Sequence, residues 1–423
     1  MRGSLALWYE AIQKSQQLGL PVELHFNLWR DLETGSNFFD VGILIHDPRL
    51  IPANEKTDAK NGLLISRLLE RFFFFIPGQF ELGQVIDLSR IVVHGQTLNA
   101  VFNDVVTITA FHEHNFETAI EGSPHLVFHH IDKNNDLEIQ AVQLDHDQVG
   151  TLITFRRSLC ARFNKKGNHY VRLRFQLDRR TQDLFSSDSS PSDWFLLSSF
   201  SRTELTEFRL NERRSFPASI ATRVADANAA YFLVDRIDYF LMRDKKFELI
   251  GAHTPFRKMR RLEQDLWRSY LRGLPPGGQL GWRTERALSR ASERIIIYHW
   301  REMAEGRVKP FRDFIAFASF RSPIANLVIY AFVIVFLGAV GAGLHPVGVQ
   351  VFNHIWGSFG SGPLSEILSN GAPIVFFFIL AFFLPLAVKW IKRGLRLLRL
   401  AGQFIVNISC KIWRWGNGNF GNG

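Results

Sequence analysis

The chain is poor in cysteine: of 423 residues only Cys160 and Cys410 carry thiols, 250 positions apart. That excludes a disulfide framework and a CxxC metal site, and it fits a reducing compartment. No secretory leader is legible. The opening "MRGSLALWYEAIQKSQQLGLPVELHF" reads as a short amphipathic helix and a strand, without a long apolar core or a small-residue cleavage site. The local signatures GxxxxGK[ST], GxSxG, HExxH and the protein-kinase set are also missing. An enzyme, if there is one, has to be assembled from scattered groups. Acidic residues are scarce at one end, where Glu366 is the sole carboxylate after Arg321. No internal repeat is evident.

What is present is apolar and unevenly charged. The chain is 46% hydrophobic, with 39 phenylalanines and a net charge of +10. Residues 1–254 hold 28 Lys and Arg against 32 Asp and Glu, a balance of −4. Residues 255–320 hold 14 against 7, and residues 321–423 hold 8 against 1, each a balance of +7. This partition weakens a nucleic-acid reading and favours anionic lipid headgroups, which attract juxtamembrane cations.

Two long uncharged runs lie in the basic third. Residues 324–344 number 21 and residues 367–388 number 22. At 1.5 Å per residue the first reaches about 31 Å, close to the roughly 30 Å hydrocarbon thickness. Both are expected to span a bilayer. By contrast "FFFF" at 72–75 is bounded by Arg71 and Pro77, a length that suits a buried strand. Arg301, Arg307, Lys309, Arg312 and Arg321 precede the first run, and cations follow the second, while 345–366 contains no Lys or Arg. The positive-inside rule then places both termini in the cytoplasm, with about 320 residues ahead of the first span.

The expected architecture is an α+β cytosolic sensor domain over 1–254, a basic helical stalk over 255–320 and a transmembrane hairpin over 321–390. An amphipathic basic helix over 391–415 and a disordered Gly/Asn tail over 416–423 follow. Strands are expected at 22–29, 40–46, 105–111, 125–131, 138–144, 170–177 and 231–242, and helices at 4–18, 61–71, 79–90 and 96–103. The Ser/Asp/Pro stretch 186–194 reads as a loop and a subdomain boundary. In the stalk, 256–273 and 283–306 read as two helices separated by "LPPGGQLG".

Candidate chemistry falls into five groups. His112 and His114 share one strand face, as do Asp145 and Asp147, but no metal-ligand spacing is present and polar strand faces are the plainer explanation. Arg209, Arg213 and Arg214 in "ELTEFRLNERRSFP" form a possible clamp for phosphate or carboxylate, against a self-paired surface turn. Arg156, Arg157, Lys165 and Lys166 form a second basic run. In the spans, Asn326 and Tyr330 share a helical face, with Gly338 about 100° round from the continuation of that face at Leu337. Glu366 lies beside the second span, where carboxylates from several subunits would favour cations. These four residues are the expected pore lining. Beyond the second span Lys389, Lys392, Arg393, Arg396 and Arg399 form one basic helical face with Trp390 as interface anchor. No catalytic residue, metal or cofactor is expected.

The stretches "TLNAVFNDV" (97–105) and "FRLNERRSFP" (208–217), upstream of two C-terminal spans, resemble stretches in bacterial membrane proteins of antiphage defence loci. The layout also resembles the two-span effectors of nucleotide-signalling defence systems, such as a Hailong-type channel effector. The resemblance implies membrane depolarisation on infection, regulated by a nucleotide or oligonucleotide. It also implies a bacterial inner-membrane location and a partner protein from the same locus. Two helices cannot enclose a pore, so a channel requires a homo-oligomer of about four or more subunits in the lipid bilayer. The alternatives are a membrane-anchored phosphohydrolase or nuclease, and an anchored scaffold.

Overall fold

The computed structural model describes residues 3–13, 19–32, 37–50, 63–93, 97–144, 148–178, 180–189, 201–273, 289–290, 292–304 and 313–323, together with Val335 and Gly338. The described part is mostly β-sheet. Its strands are β1 (Ala6–Ala11), β2 (Pro21–Trp29), β3 (Asn37–Ile45), β4 (Leu69–Ile76), β5 (Val85–Asp87), β6 (Val106–Phe111), β7 (Asn115–Ile120), β8 (Ser123–His129), β9 (Leu137–Gln143) and β10 (Val149–Phe155). Then come β11 (Asn168–Leu177), β12 (Ser186–Ser189), β13 (Ser201–Leu210), β14 (Ala229–Tyr231), β15 (Leu233–Asp244), β16 (Glu248–Ala252), β17 (Lys258–Arg261), β18 (Ile295–Met303) and β19 (Phe314–Pro323). The helices are short: α1 (Ile65–Leu68), α2 (Ser89–Val92), α3 (Thr97–Phe102), α4 (Lys133–Asp136), α5 (Arg157–Cys160), α6 (Ala218–Val224) and α7 (Gln264–Arg272).

Three sheets result. The longest runs β17-β18-β15-β2-β3-β11-β8-β7-β6, with β5 added against β11. A five-stranded sheet runs β14-β1-β4-β10-β9, and a four-stranded sheet β12-β13-β19-β16. The pairings β2 with β15 and β8 with β11 are parallel. The pairings of β1 with β4 and β14, of β10 with β4 and β9, of β11 with β3 and β5, of β12 with β13, of β15 and β17 with β18, of β16 with β19, of β2 with β3 and of β7 with β6 and β8 are antiparallel.

Alternation along the strands decides what each face does. In β2, Val22, Leu24, Phe26 and Leu28 point to one side with Val41, Ile43, Leu173, Ile237 and Trp300 of neighbouring strands. Inner residues of the other two sheets, Leu7, Phe72 and Phe74 and then Phe208 and Phe320, complete this main core. The phenylalanine block is a central strand buried on both faces. Phe72 stacks on Phe155 at 4.1 Å, while Phe73 stacks on Trp8 at 5.0 Å among residues covered by Ile220 and Val224 of α6. Gly150 lies beside it because an added Cβ would meet Phe75 at 2.7 Å.

Several expectations are corrected. Of the helix expected at 4–18, residues 14–18 lie outside the described residues, and Ala6–Ala11 is strand β1: a short apolar run suits either period, and Trp8 and Tyr9 are paired with Phe73 and Phe72 in the sheet. The helix expected at 61–71 is one turn, α1, before the chain enters β4, and that at 79–90 contains β5. The loop expected at 186–194 begins as strand β12. Among the described residues of 255–320, three strands, β17, β18 and β19, stand where the helical stalk was expected. Of its first helix α7 remains, ending at Gly273 in the left-handed conformation (φ 63°) that caps helices, and of its second residues 289–290 and 292–294 are helical. The β-branched run Ile295–Ile297 opens strand β18. Nor does a boundary fall near residue 254: β15 pairs with β18 and β16 with β19, so one compact unit comprises Met1–Ser189 and Thr203–Ser322.

The basic helix, the tail and the two apolar runs lie outside the described residues, apart from Val335 and Gly338. Those two are helical and exposed. Among the described residues no helix is long and apolar enough to cross a membrane.

Candidate functional site

The second face of the long sheet is polar and yet, apart from Lys258 at its edge, buried or half-buried. Its strands present cross-strand rows. One runs Arg172, Gly42, His25, Asp238, Arg301; the next runs Arg174, Asp40, Asn27, Phe240, His299, Lys258. Glu23 and Arg236 face each other in the row before. Apolar side chains from α2, α3 and α7, including Leu98, Val101, Trp267 and Leu271, cluster with the apolar members of this face.

Asp40 is the most heavily bonded carboxylate of this face. It accepts from Arg174 Nε at 2.7 Å and Nη2 at 3.0 Å, from Trp29 Nε1 at 2.9 Å and from Tyr270 Oη at 2.7 Å. A buried carboxylate of this kind is tolerable because four donors replace its water. Asp238 is held similarly, by His299 Nε2, Arg301 Nε and Arg236 Nε, each at 2.6 Å. Burial raises its carboxyl pKa, but the hydrogen bonds from His299 and Arg301 and the charge of Arg236 outweigh burial and hold it well below the usual carboxylate range. Glu23 is likewise brought down to about 2: burial opposes the shift, and the His46 hydrogen bond and the Arg236 charge outweigh it.

Between these carboxylates lies a relay of neutral groups. Arg172 Nη1 donates to Tyr170 Oη at 2.7 Å, and that hydroxyl lies 3.1 Å from His25 Nδ1. A hydroxyl already accepting from a guanidinium has its proton free to donate, so His25 Nδ1 accepts and Nε2 carries the hydrogen. Burial pushes His25 down to about 4, against the pull of Asp238 and Glu23, so the ring is neutral at pH 7. Gly42 makes the arrangement possible: an added Cβ would stand 2.0 Å from Tyr170 Oη and 2.8 Å from Arg172 Nη1. Arg172 is fully buried, donates its Nε to Tyr270 Oη at 2.8 Å, and forms no salt bridge among the described residues. Four guanidiniums (Arg172, Arg174, Arg236, Arg301) thus share this face with three carboxylates.

At the β17–β18 edge the lattice opens into a small cavity of about 60 Å³. Its walls are Asn103, Phe240, Arg257, Lys258, Arg260, Ile297, His299 and Arg301. Arg260 reaches Glu263 at 3.3 Å, and Arg301 is anchored on Asp238. Asn103 follows α3 with φ 54°, a left-handed conformation that asparagine tolerates.

The basic residues singled out by sequence lie elsewhere. Arg209 pairs with Glu207 at 2.6 Å and Glu212 at 3.1 Å, Arg214 with Glu212 at 2.5 Å, and Arg213 stacks over Tyr231 at 4.4 Å. That turn is paired on itself. Arg156 meets Glu138 at 3.5 Å, and Arg157 holds the carbonyls of Ser66 and Leu69 at 2.8 and 2.7 Å. Lys165 bonds Glu117 at 2.5 Å and His112 at 2.8 Å; Lys166 and His114 are exposed. Asp145, Asp147, Asn326, Tyr330, Glu366, Lys389, Trp390, Lys392, Arg393, Arg396 and Arg399 lie outside the described residues. Gly338 is the one expected pore residue described, and an added Cβ there meets nothing within 4 Å.

A trio of catalytic type occurs near α2, where Ser89 Oγ bonds both Asp87 and His130 Nδ1. The serine sits in the middle, so the histidine is not oriented by the carboxylate as a nucleophile-activating base must be. Among the described residues no three His, Cys, Asp or Glu side chains converge to hold a metal.

No family model and no curated protein matches the chain. Among solved structures it is similar to native yeast LTA4 hydrolase at 7% identity, over 73% of this chain and 30% of that one, with a TM-score of 0.23. The chain therefore spans less than a third of that neighbour, and so low a TM-score carries no argument.

Proposed function

We propose that the chain is a ligand-gated effector of a bacterial inner membrane. The β-rich body senses an anionic signal, and the two apolar runs, assembled from several copies, breach the bilayer. The observation that carries the reading is the buried polar face. Four arginines and three carboxylates under helices contribute little net stability compared with an apolar face of the same volume. A protein that needed only an anchor or a scaffold has no use for such a surface, whereas a sensor of charged ligands does. The partition of charge toward the apolar runs supports the membrane half, and defence against phage is the setting that the resemblance of 97–105 and 208–217 implies.

The test expresses three forms in bacteria and follows membrane potential with a dye. These are the full chain, a chain ending after Pro323 so that β19 is kept, and Glu366→Gln. Depolarisation by the full chain alone, with altered ion dependence in Glu366→Gln, is the expected result. An unchanged potential in every case, phage infection included, would sink the channel and leave the anchored enzyme or scaffold.

A further inference from the structure

The lattice ends in groups with unused bonding capacity. Arg301 spends its Nε on Asp238, and its two terminal amino groups make no hydrogen bond among the described residues. The guanidinium is three-quarters buried, so its fork is held rather than free to wander. Lys258 and Arg257 are exposed at the same cavity and form neither an ion pair nor a side-chain hydrogen bond among the described residues. Arg257 is fixed through its backbone, whose N–H donates to His299 O at 2.7 Å. Among the described residues the carboxylates bonded to this wall are Asp238 and Glu263, already engaged by Arg301 and Arg260.

We propose that this cavity binds the phosphoryl group of a soluble, nucleotide-sized ligand. The assignment rests on the sensing role above and names its chemistry. A pre-aimed guanidinium fork matches two oxygens of a phosphate, and Lys258 and Arg257 supply the point charges that a dianion needs. The phosphoryl group enters the cavity and the remainder of the ligand extends out of it, past Asn103 and Arg257 in its wall. Phe240 and Ile297 add apolar surface to the cavity wall beside these cations. Asn103 falls within the stretch 97–105, which places part of that stretch at the site.

The test uses the full chain purified in detergent micelles, titrated calorimetrically with inorganic phosphate, adenosine monophosphate and adenosine. Saturable binding of the two phosphates, weakened by salt, with none of adenosine, is expected. Lys258→Glu and Arg257→Glu should each weaken binding about tenfold, the size of one charge-assisted hydrogen bond, without moving the melting temperature. Absence of phosphate binding, equal binding of adenosine, or affinity indifferent to both substitutions would overturn the assignment. So would response only to phosphatidic acid added to the micelles, which would make the site a lipid headgroup site. Binding without depolarisation leaves this site standing and removes the membrane reading; depolarisation without binding does the reverse.

Discussion

The two faces of the long sheet are made by the same strands and obey opposite rules. In β2 the even-numbered residues, Leu24, Phe26 and Leu28, are interchangeable in kind: each contributes by removing apolar surface from water, in proportion to area. The odd-numbered residues, Glu23, His25 and Asn27, are not interchangeable. Each is matched to particular donors and acceptors, and a missing partner leaves the other buried and unsatisfied. An apolar face therefore degrades gradually under substitution, whereas a paired polar face fails at once.

That contrast can be broken by experiment. Asp40→Ala strands Arg174, Trp29 Nε1 and Tyr270 Oη together, and should cost about 3–5 kcal/mol in denaturant unfolding, as removing one partner of a buried pair does. A loss under about 1 kcal/mol would mean that the polar face is wetter than its burial implies.

Acid should expose the same brittleness. His25 titrates near 4 in the fold and near 6.5 unfolded, so below pH 6.5 the unfolded chain binds more protons. Its contribution is complete above pH 6.5 and is lost as pH falls toward 4, by about 3 kcal/mol. Asp87, which burial raises to about 6, works the other way and offsets part of this. Melting temperature against pH should fall in that window, and more shallowly in His25→Gln; identical slopes would remove His25 from the account.

On the apolar face, Phe208 touches the rings of Phe26 at 4.8 Å and Tyr239 at 4.6 Å. Phe208→Leu should cost only about 1–2 kcal/mol, because a similar volume is refilled. A cost equal to that of Asp40→Ala would erase the distinction between the faces. The smallest effect belongs to the surface: Arg214 is 82% exposed, and Arg214→Ala should change stability by less than about 0.5 kcal/mol.

The strands with clear alternation, 22–29, 40–46, 170–177 and 231–242, were legible because period 2 and β-branched or aromatic residues coincide there. The phenylalanine block was legible from its length. The short run at 4–11, the entry into β4 at 69–71 and the Ile-rich β18 were harder, since a few apolar residues fit either period until a partner strand is known. The site escaped for a different reason. Sequence draws attention to cations that are neighbours, such as Arg213 and Arg214 or Lys165 and Lys166. The observed lattice takes single residues at alternate positions from five strands, 23/25/27, 40/42, 170/172/174, 236/238 and 299/301. The signal was a polar residue at every second place of an otherwise apolar strand. That pattern also describes a solvent-facing strand, and only the covering helices distinguish the two.

The parallel pairing of β2 with β15 joins Leu24 to Ile237 across more than two hundred residues of chain. During synthesis at roughly 5–20 residues per second, β2 and β3 leave the ribosome some 10–40 seconds before the strand that completes them. Throughout that interval β2 offers an unpaired edge, backed by an apolar face, to any other chain in reach. Slow, non-local closure of this kind leaves the nascent chain open to intermolecular pairing for that time. It also sets an order of events: the polar lattice is assembled only after β18 has emerged, just ahead of the apolar runs that follow it.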